Sequence, residues 1–157
     1  MNSEFTFFWA GPFSQWAHSP FKLEGKTFVT AEQYMMYKKA MLFCDTDIAD
    51  RIMRTSDPKI QKALGRKVKN FDADKWNAVA RQVVYDGNMA KFTQNQSKQA
   101  ELLGTFGTTL VEASRWDKIW GCGLSESDAR KTPPELWPGK NWLGLVLTQV
   151  RDDIMQL

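Results

Sequence analysis

The sequence predicts an α+β fold that is mainly α-helical, with a small antiparallel β element near the N-terminus. Two observations support this prediction. Aromatic, β-prone segments lie near the N-terminus, at FTFFWA (5–10) and FKLEGKTF (21–28). After these segments, helix-capping residues and helical periodicity dominate. The length of 157 residues indicates one domain that spans residues 1–157.

The β element is predicted from composition and turn residues. FTFFWA favours a strand, and the following GPFSQWAHSP is a loop by its glycine, proline and serine content. FKLEGKTF predicts a hairpin, because Glu24-Gly25 provides a tight turn between two short strands.

Capping residues locate three helices in the first half of the chain. Thr30 is a favourable N-cap and Gln33 occupies the capping-box position, so the first helix extends to about Phe43. An aspartate opens each of the two short helices that follow. These extend from Asp45 to Arg54 and from Asp57-Pro58 to about Gly65.

A longer helix is predicted from near Asp74 to about Phe92, since apolar side chains recur along it at helical spacing. Ser97 caps a further helix, which ends at Gly104. The segment TTLVEA (108–113) is then a short strand or an extended segment.

The C-terminal part combines a long loop with a final helix. Residues 121–140 form the loop, with one turn at 134–137, and loops of this length are often functional. Asn141 caps an amphipathic helix after it. The inner face of that helix carries Leu143, Val146, Leu147, Val150 and Ile154.

Composition excludes several classes of protein. The net charge of +3 permits an anionic ligand but does not by itself argue for nucleic acid. Cys44 and Cys122 are far apart and His18 is the sole histidine, so neither a metal site nor a cofactor is predicted. The sequence shows no signal peptide and no apolar run long enough to span a membrane. We therefore expect a cytoplasmic protein without a membrane partner.

The first helix carries charges on a face that is otherwise apolar. Glu32 and Lys39 lie on the same side of this helix as Met35, Met36 and Phe43. The two charged residues are separated by two helical turns, about 10 Å along the axis. One interpretation is a half-buried ion pair or a lysine that extends to water. The other is a polar cluster at the floor of a pocket, where desolvation shifts the pKa of both groups.

A second candidate segment is EASRWDKIWGCG (112–123). Glu112 and Asp117 flank its tryptophans, and the glycines permit close approach of a ligand to the backbone. Trp116 or Trp120 could stack on a flat base. The alternative is a tight turn whose tryptophans fill the core.

Five segments together resemble the NADAR family, also called the YbiA-like family, and they extend from about Phe7 to Arg151. They are FSQW (13–16), EGKTFVTAEQYMMYKK (24–39), the Trp76 helix that ends in AKF (90–92), LVEASRWDKIWGCGL (110–124) and GKNWLGLVL (139–147). Each segment alone is weak, but their order and spacing are fairly specific.

The resemblance implies an N-glycosidase, a hydrolase that cleaves the bond between a ribose C1 and a base nitrogen. The implied substrates carry phosphate: ADP-ribosylated guanine, or ribosylamino-pyrimidine phosphates of riboflavin synthesis. The implied catalytic residues are Lys39, Glu32 and Asp117, with Lys39 forming a Schiff base with the sugar aldehyde. The adjacent Lys38 remains an alternative to Lys39. Gln33 departs from the family, in which many members have histidine at that position.

Further residues are candidates for substrate binding, by their place in the matching segments or as stacking aromatics. They are Trp9, Ser14, Gln15, Trp76, Glu112, Trp120, Gly121 and Asn141. Trp76 could equally belong to the core. The basic run GRKVK, with Arg66, Lys67 and Lys69, provides phosphate donors or only a solvated face.

The chemistry of these residues suits such a reaction. A carboxylate stabilises the positive charge that develops on the sugar ring. An apolar pocket lowers the pKa of Lys39 towards a neutral, nucleophilic amine, whereas Glu32 opposes this shift. The expected partner is a small-molecule nucleotide or ADP-ribosyl substrate, and nucleic acid that carries ADP-ribose is a further candidate. Two other classes remain open: a non-catalytic ADP-ribose or NAD-binding module, and a structural domain.

Overall fold

The computed structural model describes residues 4–157, and these form four short strands, seven α-helices and a 3₁₀ turn. The strands are β1 Phe5–Phe8, β2 Phe21–Leu23, β3 Lys26–Phe28 and β4 Thr109–Glu112. The helices are α1 Ala31–Leu42, α2 Thr46–Met53, α3 Pro58–Gly65, α4 Ala73–Gln94, α5 Gln96–Leu103, α6 Glu126–Lys131 and α7 Trp142–Ile154. The predicted mainly helical α+β class is confirmed.

The chain divides into two compact units, named here by their place in the sequence. The central unit contains residues 15–96, and the terminal unit combines residues up to 14 with residues 97–157. The single domain predicted over 1–157 stays a prediction. Within residues 4–157, every helix is too short or too polar to cross a bilayer.

The predicted hairpin is confirmed in the central unit. β2 and β3 pair antiparallel, and Glu24 and Gly25 have φ values of 55° and 79°. Two positive φ angles match the twist of the strands in a two-residue hairpin loop.

Helix α1 begins as predicted at Thr30, whose hydroxyl accepts a hydrogen bond from Gln33 N at 3.0 Å. The Gln33 carboxamide accepts from Val29 N at 2.8 Å, one residue before the position of a standard capping box. Its Nε2 donates to the carbonyls of Ile52 and Thr55, at 3.1 and 3.2 Å. Gln33 therefore ties the start of α1 to the end of α2.

Helix α1 is the buried core element of the central unit, and every residue from 31 to 36 is buried. Two glycines allow other helices to approach it closely. A Cβ at Gly87 of α4 would lie 2.8 Å from Cδ2 of Tyr34, and a Cβ at Gly65 of α3 would collide with Sδ of Met36. The packing of α3 and α4 on α1 thus requires these two glycines.

The terminal unit contains a second, parallel strand pair that the sequence did not predict. β1 and β4 align Phe5 with Thr109 and Phe8 with Glu112. Helix α7 lies next to β4, and its predicted inner face is confirmed as buried.

Asn141 is the N-cap residue of α7, as predicted, but its side chain makes no capping hydrogen bond, because its carboxamide binds the backbone of β4 instead. Two other predictions of local structure in the terminal unit are wrong. Ser97 lies inside α5, which begins at Gln96. The segment 121–140 is not a continuous loop, because it contains helix α6. Ser125 caps this helix by accepting a hydrogen bond from Asp128 N, and an ion pair between Arg130 and Glu126 spans one of its turns.

Candidate active site

Lys39 lies half-buried in the last turn of α1. Burial lowers the pKa of its ammonium group, the carboxylate of Glu32 opposes that shift, and the guanidinium of Arg66 adds to it. Its Nζ stands 4.5 Å from the ring centroid of Phe71. Lys39 thus holds an amine that deprotonates more easily than an ordinary lysine.

Lys38 has different surroundings. Its Nζ forms an ion pair with Glu24 Oε1 at 3.0 Å and also donates to Oε2 at 3.2 Å. The hydroxyl of Tyr34 donates to the same carboxylate at 3.4 Å. Lys38 is therefore held by a carboxylate in an ion pair, which makes it the poorer candidate for the nucleophile.

Glu32 is buried in the first turn of α1, on the same stripe as Lys39. Its backbone N–H donates to the carbonyl of Gln15 at 3.0 Å. That bond fixes the segment containing Gln15 against the start of α1.

The side chain of Gln15 is held by Asn88, a residue that the sequence reasoning missed. Asn88 Nδ2 donates to Gln15 Oε1 and to the carbonyl of Val84, both at 2.8 Å. Asn88 is fully buried on α4 directly after Gly87. The sequence does contain a signal for Asn88, because an amide side chain on the apolar face of a long helix indicates a buried hydrogen bond.

Trp76 and Lys91 are two further buried residues of α4. Trp76 is buried, as in the alternative that assigned it to the core. Lys91 is completely buried, which is rare for a lysine, and its Nζ lies 4.8 Å from the Phe92 ring centroid. The sequence pattern AKF (90–92) did not indicate that its lysine is buried.

The basic run after α3 is exposed at Arg66, Lys67 and Lys69. For Lys67 and Lys69 this exposure agrees with the interpretation that the basic run is only a solvated surface. Arg66 differs, because its positive charge acts on the pKa of Lys39.

The terminal unit places Asp117 in a tight turn. Its Oδ1 accepts from the backbone N–H groups of Ile119 and Trp120, at 2.9 and 2.8 Å. The hydroxyl of Ser114 accepts from Trp116 N and Asp117 N, at 3.3 and 3.1 Å. One oxygen of Asp117 therefore shapes the backbone that carries Trp120.

The remaining candidates near this turn are held by the backbone of β4. The Asn141 carboxamide accepts from Glu112 N and donates to the carbonyl of Leu110, both at 3.0 Å. A Cβ at Gly121 would lie 2.9 Å from both the Asp117 carbonyl oxygen and Ser114 Cβ. The missing Cβ of Gly121 therefore makes room for neighbouring residues of the same chain, whereas the sequence pattern predicted that it makes room for a ligand.

The aromatic candidates of the terminal unit are unequally exposed. Trp120 is half-buried and meets Trp142 edge to face, with the ring centroids 5.5 Å apart. Trp9 is 59% exposed and Trp116 is 81% exposed, so neither fills the core. Ser14 is half-buried, and its N–H donates to the carbonyl of Gly11 at 3.1 Å.

The predicted site residues thus fall into two sets. Glu32, Lys39, Gln15 and Trp76 belong to the central unit, and the others belong to the terminal unit. Across residues 4–157, no three His, Cys, Asp or Glu side chains are placed to hold a metal ion. Cys122 is a buried thiol whose pKa is raised by burial, so it is not an activated nucleophile.

A cavity of about 510 Å³ lies on another face of α1, away from the predicted residues. Lys26, Tyr37, Met41, Asp50 and Arg54 are among its lining residues. Neither Glu32 nor Lys39 contributes to it. We assign the candidate active site by the chemistry around Lys39, whose amine has a lowered pKa.

Comparison with known proteins places the chain in a family. Residues 5–155 match the NADAR domain. N-glycosidase R617 of Acanthamoeba polyphaga mimivirus is 45% identical over 92% of this chain and 88% of its own length. N-glycosidase YbiA of Escherichia coli is 33% identical over 92% of this chain and 81% of its own. The NMR structure of E. coli YbiA matches with a TM-score of 0.80 and 30% identity, over 99% of this chain and 88% of that one. The chain belongs to the NADAR family.

Proposed function

We propose that the protein is an N-glycosidase, a hydrolase of the bond between a ribose C1 and a base nitrogen. The names of its relatives R617 and YbiA support this activity. The observation that carries the proposal is Lys39, an amine of lowered pKa on the same helical stripe as the buried carboxylate of Glu32. Such a pair suits covalent catalysis at a sugar carbon.

The proposed nucleophile is Lys39. Its neutral amine attacks C1 of the ring-opened sugar, and the bond from C1 to the base nitrogen breaks. The base leaves with a proton, and Lys39 is joined to C1 as a Schiff base. Water then hydrolyses this imine, which releases the sugar aldehyde and restores the amine.

Carboxylates have two roles in this scheme. We propose that Glu32 transfers protons at the Lys39 amine, since its charge already acts on the pKa of that group. Asp117 stabilises positive charge on the sugar, while its Oδ1 keeps the turn before Trp120 in shape. Trp9 and Trp120, both with exposed surface, are the proposed stacking residues for the base.

The proposed substrate is a ribosyl group that carries phosphate. It is either ADP-ribose attached to guanine, free or within nucleic acid, or a ribosylamino-pyrimidine phosphate. We place the enzyme in the cytoplasm, where both kinds of compound would be available and where Cys44 and Cys122 remain free thiols.

Chromatography of released base tests the activity. The protein is incubated in parallel with guanosine that carries ADP-ribose and with the ribosylamino-uracil phosphate. Release from the first alone identifies an enzyme that reverses ADP-ribosylation, and release from the second alone identifies a metabolite hydrolase. Saturable binding of ADP-ribose with no base released from either would replace the enzyme with a binding module.

A further inference from the structure

The segment from Gly65 to Phe71 contacts α1 at two places, Met36 and Lys39. At its start, Gly65 packs directly on Met36, which lies one turn before Lys39 on the same side of α1. At its end, the ring of Phe71 lies 4.5 Å from Lys39 Nζ and meets Phe43 edge to face at 5.5 Å.

Backbone contacts fix the middle of this segment. Lys69 N–H donates to Oδ2 of Asp45 at 3.0 Å, and the other oxygen of that carboxylate caps α2. Asn70 has a φ of 59°, a left-handed conformation that asparagine tolerates better than most residues. The segment is therefore a built wall beside Lys39.

Arg66 supplies a positive charge within this wall. It caps the end of α3 immediately after Gly65, and its charge reaches Lys39. Its side chain is exposed, and it takes part in no ion pair with another residue in 4–157. An unpaired guanidinium next to a catalytic group is suited to bind a phosphate through two parallel hydrogen bonds.

We propose that Arg66 binds the phosphate of the ribosyl substrate and so selects a phosphorylated sugar for Lys39. This inference rests on the proposed function, because it takes Lys39 as the residue that attacks C1. It distinguishes Arg66, whose charge acts on the pKa of Lys39, from Lys67 and Lys69, which carry the same charge.

Reductive trapping measures this selectivity. Ribose 5-phosphate and ribose are each incubated with the protein and cyanoborohydride, and the adduct at Lys39 is quantified by peptide mass spectrometry. Hydride from the reagent reduces the imine to a stable secondary amine. The ratio of the two trapping rates cancels any change in the pKa of Lys39, because both sugars react with the same amine.

Wild type should trap ribose 5-phosphate about ten- to a hundredfold faster than ribose, as a charge-assisted hydrogen-bond pair allows. Arg66→Gln should reduce that ratio to near one, and Arg66→Lys should restore part of it. Lys67→Gln removes an equal charge one residue away and should keep the wild-type ratio. An equal loss in Lys67→Gln and Arg66→Gln would overturn the proposal, since only general surface charge would then be at work.

The other outcomes separate this inference from the proposed function. Equal trapping of both sugars by wild type refutes the phosphate site and leaves the Schiff base intact. No adduct with either sugar contradicts the Schiff-base step, and calorimetric titration with ribose 5-phosphate then decides on Arg66. A Kd raised about tenfold or more in Arg66→Gln, with Lys67→Gln unchanged, supports the phosphate site, and an unchanged Kd in both variants refutes it.

Discussion

At the scale of single residues, the structure separates two neighbouring lysines that the sequence could not. Lys38 forms an ion pair with Glu24, whereas Lys39 is half-buried and its pKa responds to the charges of Glu32 and Arg66. The sequence placed Glu32 and Lys39 on one stripe of a helix, because helical periodicity is a local property. It could not place Arg66 or Phe71 near Lys39, since these contacts depend on how α3 packs on α1.

The pH dependence of the reaction should report the charges around Lys39. In the proposed mechanism the neutral amine is the active form, so the rate should rise with pH through the pKa of Lys39, which lies below the usual lysine value of 10.5. Arg66→Gln removes a charge that lowers this pKa and should move the acid limb to higher pH. Glu32→Gln removes a charge that raises it and should move the limb to lower pH.

Profiles of kcat against pH for wild type and both variants check this prediction. The position of the acid limb is compared, because the height of the curve also reflects any proton transfer by Glu32. Shifts of the two variants in the same direction would contradict the assignment of the limb to Lys39. Lys67→Gln serves as the control and should leave the limb in place.

At the scale of secondary-structure elements, most boundaries followed from capping residues. Asp45 and Asp57 open α2 and α3 as predicted, because an aspartate cap is a local signal. The parallel pairing of β1 with β4 joins residues 104 positions apart in sequence, such as Phe5 and Thr109. No local pattern specifies such a pairing, which is why it was missed.

Gly65→Ala should weaken the contact between α3 and α1. The new Cβ would collide with Met36 Sδ, and overpacking of this kind typically costs about 1–3 kcal/mol. The free energy of unfolding, measured in urea, should fall by this amount. Gly104→Ala is the matched control, because its Cβ would approach only two backbone oxygens at 3.4 Å. Equal stability of both variants would contradict the packing described for α3.

Asn141→Ala should destabilise the protein although the Asn141 side chain makes no capping hydrogen bond in α7. It removes two hydrogen bonds to the backbone of β4 and leaves the buried Leu110 carbonyl and the Glu112 N–H without that partner. We expect a loss of about 1–3 kcal/mol in the free energy of unfolding. Asn141→Asp keeps the acceptor for Glu112 N–H and should recover part of the loss. A variant as stable as wild type would mean that the β4 bonds contribute nothing.

At the scale of the whole molecule, membership of the NADAR family carries the functional argument. The fold class followed from local patterns, whereas the candidate site followed from the order of five matching segments. Neither source revealed Asn88 or distinguished Arg66 from the two lysines of its basic run, because the roles of both residues depend on tertiary contacts.

A phosphorylated sugar should stabilise the whole protein if the site binds it. Ligand at a hundredfold excess over Kd adds about 2.7 kcal/mol to the free energy of unfolding. We therefore expect ribose 5-phosphate or ADP-ribose to raise the melting temperature in a concentration-dependent way. No rise with either ligand, up to millimolar concentration, would favour a purely structural domain.

The proposed attack of the Lys39 amine on the sugar is tested most directly by measuring base release. The rate is compared among the Lys39→Met variant, the Lys38→Met variant and wild type. Both changes remove one ammonium group from adjacent positions of α1, so they control for each other. Lys39→Met should fold normally and abolish release from the accepted substrate, and Lys38→Met should retain most of the wild-type rate. Full activity in Lys39→Met would contradict the claim that its amine attacks the sugar.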